Sequence, residues 1–219
     1  MIDTQTEAPL VVQRSRRNPW RELPILVVIA VCVAFVVRGL VVQTFWIPSG
    51  SMEHTLNVND RVLVNKIVYD FRDPRRGEII VFTSPVSWRS SPDEKNFIKR
   101  VIGVGGDRVQ CCKSGRVIVN GQPLVEPYLD PDNGIGAPSS PDGFDVVVPP
   151  GRLWVMGDNR MHSGDSRQQY LDTGHDISAA TIPVSSVIGR AFALFYPLGR
   201  ASWLSVPPTF QTVPRGPSG

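Results

Sequence analysis

The sequence predicts a mostly β protein, in which one antiparallel-sheet domain follows a single N-terminal transmembrane helix. Two observations carry this prediction. A long apolar segment lies near the N-terminus, and beyond Pro48 the chain consists of short runs rich in Val and Ile that Gly, Pro, Asp and Asn interrupt. The length of 219 residues leaves room for one domain and an appendage.

The composition excludes several other classes of protein. Hydrophobic residues make up 42% of the chain and charged residues 20%, which is typical of a packed globular domain. The mean hydropathy of −0.05 is too low for a polytopic membrane protein. A net charge of +3 is too weak to indicate binding to nucleic acid. Because Cys and His do not cluster at metal-ligand spacing, we expect no metal and no cofactor.

The apolar segment begins with residues 23–37, which carry no charge, and continues beyond Arg38. A membrane span needs about 20 residues to cross about 30 Å of hydrocarbon. We therefore expect a transmembrane anchor over 23–44, with Arg38 extending its charge toward an interface and with Trp20 and Trp46 as flanking aromatic residues. A buried core helix and a cleaved signal peptide are the alternatives, although no A-x-A sequence follows the segment.

The arginines predict the orientation of this anchor. No Lys or Arg lies between Arg38 and Arg61. Four arginines precede the apolar segment: Arg14, Arg16, Arg17 and Arg21. The positive-inside rule then puts the N-terminus in the cytoplasm and the chain from about residue 48 outside the cell. We expect a single-pass protein of the plasma membrane, whose polar residues 1–22 form a disordered cytoplasmic N-terminus.

The β domain is expected to cover residues 45–206. Its predicted strands lie within 61–71, 78–82, 97–104, 107–112, 116–124, 145–150, 152–157 and 187–196. Asn120 and Gly121 indicate a tight hairpin turn. Residues 127–143 are rich in Pro, Gly, Asp and Ser and predict a long surface loop. Residues 207–219 predict a flexible C-terminal tail.

Two short segments could carry chemistry. Ser49, Gly50 and Ser51 could form a turn that presents a hydroxyl beside backbone N–H groups, as nucleophilic acyl transfer requires, or an ordinary connector. Lys99 lies among apolar residues in a predicted strand. A strand lysine normally points to solvent, but burial would lower its pKa from about 10.4 and make a neutral amine available as a general base.

A third segment, residues 156–167, is polar and predicts a loop that contains two Asp and two Arg. Its simplest interpretation is a hydrogen-bonded turn, which can also support a site. A Ser-His-Asp triad of Ser51, His162 and Asp165 is formally available, but no G-x-S-x-G sequence is present. His54 lies too near Ser51 along the chain for easy contact.

Five segments taken together resemble the bacterial type I signal peptidases. They are PSGSMEHTL at 48–56, NDRVLVNK at 59–66, RGEIIVF at 76–82, IKRVIGVGGD at 98–107 and GDNRMHSGDSR at 157–167. They occur in the order that this family shows, and the resemblance covers residues from about 45 to 196. A single segment would be a weak signal, but five in order are specific.

The resemblance implies a serine endopeptidase that removes signal peptides from exported preproteins after small-x-small junctions. Matched by motif, Ser51 is the nucleophile and Lys99 the general base. Ser49 resembles the residue whose hydroxyl joins the Ser51 N–H in the oxyanion hole, and Ser163 the residue that orients the lysine amine. The partners implied are preproteins, the lipid bilayer and the secretion translocon.

The resemblance also assigns supporting roles. Asp165 and Arg167 resemble a supporting ion pair, and Asp158 and Arg160 a loop scaffold. Residues 107–145 would form a small inserted β subdomain. Five apolar residues match positions that line the small-residue pockets or the membrane-contacting surface: Phe45, Ile47, Met52, Leu56 and Ile98.

Some positions depart from the family pattern. His54 replaces a Pro, and Met161 and His162 replace an Asp-Asn pair, which leaves part of that loop's hydrogen bonding open. Cys111 and Cys112 are adjacent, and because a disulfide between neighbours is strained and rare, we expect free thiols or intermolecular partners. Two alternative functions remain: a membrane-tethered binding domain without activity, and a His-dependent serine hydrolase.

Overall fold

A computed structural model describes residues 19–113, 115–129 and 143–216 of the chain. Within them, the strands are β1 Val42–Trp46, β2 Arg61–Asn65, β3 Ile79–Thr83, β4 Asn96–Val104, β5 Arg108–Lys113, β6 Arg116–Val119, β7 Gln122–Pro123, β8 Asp145–Val147, β9 Arg152–Met156, β10 Ile182–Pro183, β11 Val187–Tyr196 and β12 Ser202–Trp203. The helices are α1 Pro19–Val41, α2 Val68–Phe71, α3 Ser166–Asp172 and α4 Ile177–Ala180. The prediction of a mostly β, antiparallel fold is confirmed.

The strands form two antiparallel sheets. The larger sheet has the order β1-β2-β11-β3-β4-β9-β10, with β12 paired to β11. The smaller sheet has the order β7-β6-β5-β8. Its strands run from Arg108 to Val147 and so nearly coincide with the predicted insertion over 107–145. Asn120 and Gly121 both adopt positive φ, 51° and 81°, so they form the tight turn between β6 and β7 that their sequence indicates.

Alternating burial along β2 and β4 explains why these runs form strands. Val62 and Val64 are fully buried on one face of β2, while the intervening Leu63 is only half-buried. Strand β4 pairs with β3 on one side and β9 on the other, so most of its side chains are buried. Its central position places Lys99 inside the sheet rather than at an edge.

Helix α1 contains most of the predicted anchor. Nine large apolar side chains on successive turns are exposed: Leu23, Ile25, Leu26, Val27, Val28, Ile29, Val31, Val33 and Phe35. Among the residues that the structure describes, no helix is both long enough and apolar enough to cross a membrane. The predicted disordered segment lies outside the described residues up to residue 18, and residues 19–22 are helical.

Two element boundaries differ from the sequence prediction. The predicted anchor extends to residue 44, but α1 ends at Val41 because Val42 begins β1, which pairs with β2 in antiparallel register. The predicted strand 61–71 ends at Asn65, whose side-chain oxygen accepts hydrogen bonds from the Ile67 and Val68 N–H groups and so turns the chain into α2.

The C-terminal segment and the adjacent cysteines also differ from expectation. The segment from residue 207 forms a 3-10 turn over Pro208–Gln211, and the side chains of Phe210 and Val213 are buried in the core beside the smaller sheet. Apolar burial therefore holds residues that their Pro and Gly content suggested would be flexible. Cys111 and Cys112 form a disulfide, where the sequence favoured free thiols. Residues 130–142 of the predicted loop lie outside the described part.

Candidate active site

A tight turn between β1 and β2 carries Ser51. The turn is a single 3-10 turn, Gly50–Met52, which the Glu53 N–H closes on the Gly50 carbonyl at 3.0 Å. The Leu56 N–H then bonds the Met52 carbonyl at 2.7 Å. Ser51 is 8% exposed, so its hydroxyl lies at the edge of a packed region on a backbone that is fixed locally.

Strand β4 supplies the amine that meets this hydroxyl. Lys99 is paired with Ile80 of β3 and is 4% exposed. Its Nζ donates a hydrogen bond of 2.5 Å to Ser51 Oγ, across a sequence separation of 48 residues. The sequence could not decide whether this lysine points to solvent, and the structure answers that it is buried against Ser51.

The burial of Lys99 changes its proton affinity. Desolvation lowers the pKa of its amine from 10.5 to about 8, since a charged ammonium loses hydration in the interior. The nearby carboxylate of Asp165 acts in the opposite direction, and the guanidinium of Arg167 acts in the same direction as burial. A substantial fraction of the amine is therefore neutral close to physiological pH.

Asp165 and Arg167 form the ion pair that the sequence resemblance assigned to them. Their side chains are within 2.9 Å, and the Gly157 N–H donates to the same carboxylate at 3.0 Å. Burial alone would raise the pKa of Asp165, but Arg167 and this N–H outweigh it and the pKa is lowered. The Asp165 carboxylate accepts its hydrogen bonds from Arg167 and Gly157. Its effect on Lys99 is electrostatic, without a hydrogen bond between the two side chains.

The predicted scaffold residues Asp158 and Arg160 are both buried, but each pairs with a residue that the sequence did not indicate. Asp158 accepts two hydrogen bonds from Arg100 of β4, at 2.6 and 2.9 Å, and one from Thr55 at 2.6 Å. Arg160 pairs with Glu126 at 2.5 Å. The loop that follows β9 is thus tied to the main sheet on one side and to the smaller sheet's connection on the other.

Asn159 is bonded to the turn of Ser51, a contact that sequence reasoning missed. Its backbone N–H donates to the Ser51 carbonyl at 3.1 Å, and its side-chain Nδ2 donates to the Gly50 carbonyl at 3.1 Å and to Glu53 at 3.2 Å. These three bonds hold the turn of Ser51 from outside. The only available signal was its place in the polar segment 156–167, which does not reveal its partners.

Gly157 explains how the turn and the loop come so close. A Cβ atom at Gly157 would overlap both the Ser51 carbonyl oxygen and Ser163 Oγ. Only glycine therefore permits the end of β9 to pack directly against the backbone of Ser51. The same observation places Ser163 beside the turn of Ser51.

Ser163 and Ser49 lie near Ser51 but differ in their contacts. Ser49 Oγ is 3.5 Å from Ser51 Oγ. Ser163 Oγ is buried and has no hydrogen-bond partner among the described residues. A buried hydroxyl without a partner is uncommon. The predicted bond between Ser163 and the Lys99 amine is not formed in this structure, and its orienting role stays a prediction.

The predicted pocket residues share one apolar cluster beside the turn. Ile47, Met52 and Leu56 are fully buried, Ile98 is 9% exposed, and Phe45 packs against the cluster from a half-buried position. Most of these side chains therefore form the packed floor of the region near Ser51. Phe45 and Ile98 are the two that retain some exposure.

The structure offers little support for a histidine mechanism. His162 is exposed, and its Nδ1 lies 3.3 Å from Asn159 Oδ1 rather than on Ser51. His54 is exposed in the turn, with a positive φ of 79°. Across the described ranges, no three His, Cys, Asp or Glu residues are grouped so that they could hold a metal ion.

Comparisons with known proteins find similarity over most of the chain. The model of the family described as signal peptidase, peptidase S26, matches residues 20–196. Signal peptidase I of Mycobacterium tuberculosis is 40% identical over 85% of this chain and 76% of its own length. A probable signal peptidase I of Mycobacterium leprae is 38% identical over 90% and 84%, and signal peptidase I of Leptolyngbya laminosa is 37% identical over 94% and 95%.

The buried amine predicts a stabilising substitution. Below pH 8 the amine is protonated in both states, so the folded state bears the full cost of burying the charge, and this cost disappears as pH rises through 8 toward 10.5. We expect Lys99→Met to raise the free energy of unfolding at pH 7 by about 3 kcal/mol, measured by urea unfolding in detergent.

Lys66→Met is the matched control, because the Lys66 side chain is exposed. It should leave the free energy of unfolding nearly unchanged. Equal effects of the two substitutions, or a gain at Lys99 that is the same at pH 7 and pH 10, would contradict burial of the charge as the cause.

Proposed function

The chain belongs to the signal peptidase family, peptidase S26, and from this premise we propose that Ser51 and Lys99 form its catalytic dyad. The enzyme is a serine protease that removes signal peptides from preproteins. The observation that carries the assignment of residues is the 2.5 Å contact between Lys99 Nζ and Ser51 Oγ in a buried setting.

The proposed first step is proton transfer followed by attack. In the structure Lys99 donates the hydrogen bond to Ser51 Oγ. When Lys99 is neutral, the direction is reversed, and the lone pair of its amine accepts the proton of the Ser51 hydroxyl. The oxygen then attacks the carbonyl carbon of the scissile peptide bond. The resulting ammonium of Lys99 gives the proton to the nitrogen of the scissile bond, the C–N bond breaks, and an acyl-enzyme ester on Ser51 remains. Lys99 then takes a proton from a water molecule, which attacks this ester and releases Ser51.

An oxyanion site is proposed from the same turn. The Ser51 N–H and the Ser49 hydroxyl, which is 3.5 Å from Ser51 Oγ, would donate hydrogen bonds to the negative oxygen of the tetrahedral intermediate. Asn159 fixes the backbone of the turn through the carbonyls of Gly50 and Ser51, so these donors need little rearrangement during the reaction.

Selection of small residues is proposed to arise from the packed floor. Met52 and Leu56 are 0% exposed and fill the space beside Ser51, so a substrate side chain larger than Ala would have to displace them. Phe45 and Ile98 would form the accessible walls. This arrangement supports the small-x-small preference through exclusion of larger side chains.

A binding domain without activity is the competing function that this geometry disfavours. Such a domain gives no reason to bury a lysine amine against a serine hydroxyl, because the desolvated amine lowers the stability of the fold. The contact therefore favours the enzyme.

We propose that α1 is part of a membrane anchor with its N-terminus in the cytoplasm, although no helix among the described residues has the length and hydropathy of a complete span. Apolar side chains from Leu23 to Phe35 are exposed all around the helix, which favours a lipid environment over water. On the catalytic domain, Tyr196, Leu198 and Trp203 are 51%, 81% and 78% exposed and suit a lipid interface. An association with the secretion translocon stays a prediction from the sequence.

The anchor can be tested in the full chain with Ile29→Lys combined with Val33→Lys. Each central lysine raises the free energy of insertion by about 2.5–3.5 kcal/mol, so we expect the protein to leave the membrane pellet after an alkaline wash. Val86→Lys, at a residue that is 79% exposed in a loop, should remain in the pellet. Retention of the double variant would contradict the anchor.

Activity tests the dyad directly. Ser51→Ala and Lys99→Ala should each reduce cleavage of a preprotein whose signal ends in A-x-A by about 10⁴-fold or more, because each removes a group that acts in the chemical step. Ser163→Ala should cost less, because it orients rather than reacts. The exposed controls Ser87→Ala and Lys66→Ala should cleave normally. Full activity in folded Lys99→Ala enzyme would refute the assigned base.

The pH profile tests the proton state of the base. Because the neutral amine is required and its pKa is about 8, kcat/KM should rise about tenfold per pH unit below pH 8 and level off above it. His162→Ala should leave this limb in place. An activity that falls between pH 6 and 8, or an ascending limb lost with His162, would favour a different base.

A further inference from the structure

A cavity whose lining includes neither Ser51 nor Lys99 is lined by four arginines. Its volume is about 510 Å³, and its basic wall consists of Arg72, Arg75, Arg76 and Arg190. The proposed cleavage chemistry uses none of them. Glu78 is the one carboxylate among the lining residues, so the wall carries an excess of positive charge.

The hydrogen bonds of Glu78 are directed away from Arg190. Its carboxylate accepts two bonds from Arg72, at 2.6 and 3.1 Å, one from the Arg75 N–H at 2.9 Å and one from Tyr69 at 3.1 Å. Arg190 Nε lies 3.5 Å from Glu78 Oε1. This distance is within the range of an ion pair, but the two atoms do not form a hydrogen bond. Glu78 therefore has little capacity left for another donor.

Two guanidinium groups are consequently available to an anion. Arg190 Nε is buried and has no hydrogen-bond partner among the described residues, but 28% of the side chain is exposed, so an anion could reach the outer nitrogens of its guanidinium. The Arg75 side chain is exposed, and within the same residues the hydrogen bonds of Arg75 are made by its backbone N–H and carbonyl with Glu78, which leaves its guanidinium unpaired. Arg76, in contrast, is paired with Asp107 and contributes mainly its charge.

Four of the remaining lining residues of the cavity are apolar. They are Pro74, Val104, Val206 and Phe210, the last of which belongs to the packed C-terminal segment. A bare inorganic ion would leave these side chains in contact with water. A ligand that carries both an anionic group and an apolar substituent would satisfy both groups of residues.

We propose that this cavity binds a phosphate ester with an apolar substituent, either a lipid headgroup or a soluble organic phosphate. The phosphate accepts hydrogen bonds from Arg190 and Arg75, whose planar guanidinium groups suit phosphate oxygens, and the substituent packs against Val206 and Phe210. The site goes beyond the proposed protease function and does not depend on it.

Calorimetric titration of the full-length protein in zwitterionic nanodiscs tests this site with phenyl phosphate as the probe. We expect phenyl phosphate to bind at least about tenfold more tightly than inorganic phosphate, and Arg75→Gln or Arg190→Gln to weaken it by about tenfold or more. Arg116→Gln, an identical charge change at an exposed position on the smaller sheet, should leave the affinity unchanged.

The outcomes separate the possibilities. Absence of phenyl phosphate binding, equal affinity for inorganic phosphate, or an equal loss in Arg116→Gln would each overturn the proposal. Nanodiscs with added phosphatidic acid identify the source. If phosphatidic acid weakens the binding of phenyl phosphate to the wild type but not to Arg75→Gln, the ligand is a lipid headgroup. If phosphatidic acid leaves the titrations unaltered, the ligand is a soluble ester.

Discussion

The short contact between Lys99 and Ser51 requires a lysine amine that is buried in the interior and has no carboxylate bonded to it. Desolvation lowers the pKa of that amine to about 8. A carboxylate that bonded it directly would favour the charged ammonium and raise the pKa again. Asp165 is close enough to act on Lys99, but Arg167 and the Gly157 N–H take its hydrogen bonds, so the amine keeps its lowered pKa.

The rest of the domain can be understood as the framework that keeps this contact short. The turn of Ser51 and the strand of Lys99 are far apart in sequence, and the loop after β9 joins them. Asn159 grips the turn, while Asp158 bonds Arg100, the strand neighbour of Lys99. The pair of Arg160 and Glu126 extends the same loop to the smaller sheet, which thereby supports the site from a distance.

The sequence was sufficient for most of the strands and for the selection of Ser51 and Lys99 as candidates, because both have local signatures. Runs of Val and Ile between turn residues marked most of the strands, and motif order marked Ser51 and Lys99. It failed where partners are chosen in three dimensions: Asp158 pairs with Arg100 rather than with a loop neighbour, and Phe210 finds a core that its Pro-rich surroundings do not indicate. The hydrogen bonds of Asn159 are of the same kind, since they join backbone groups that no residue pattern specifies.

Lys99 is an exception to the rule that charged side chains face solvent, and the exception itself carries information about the site. A lysine in the middle of a central strand contradicts the preference of charged residues for solvent, and its burial lowers the stability of the fold. Such a position persists only if something other than stability requires it. A methionine there would pack equally well and keep the sheet intact, so the amine itself, rather than its volume, is what the structure accommodates. The same reasoning applies to Arg190, whose buried Nε has no acceptor among the described residues and whose position is therefore not explained by stability alone.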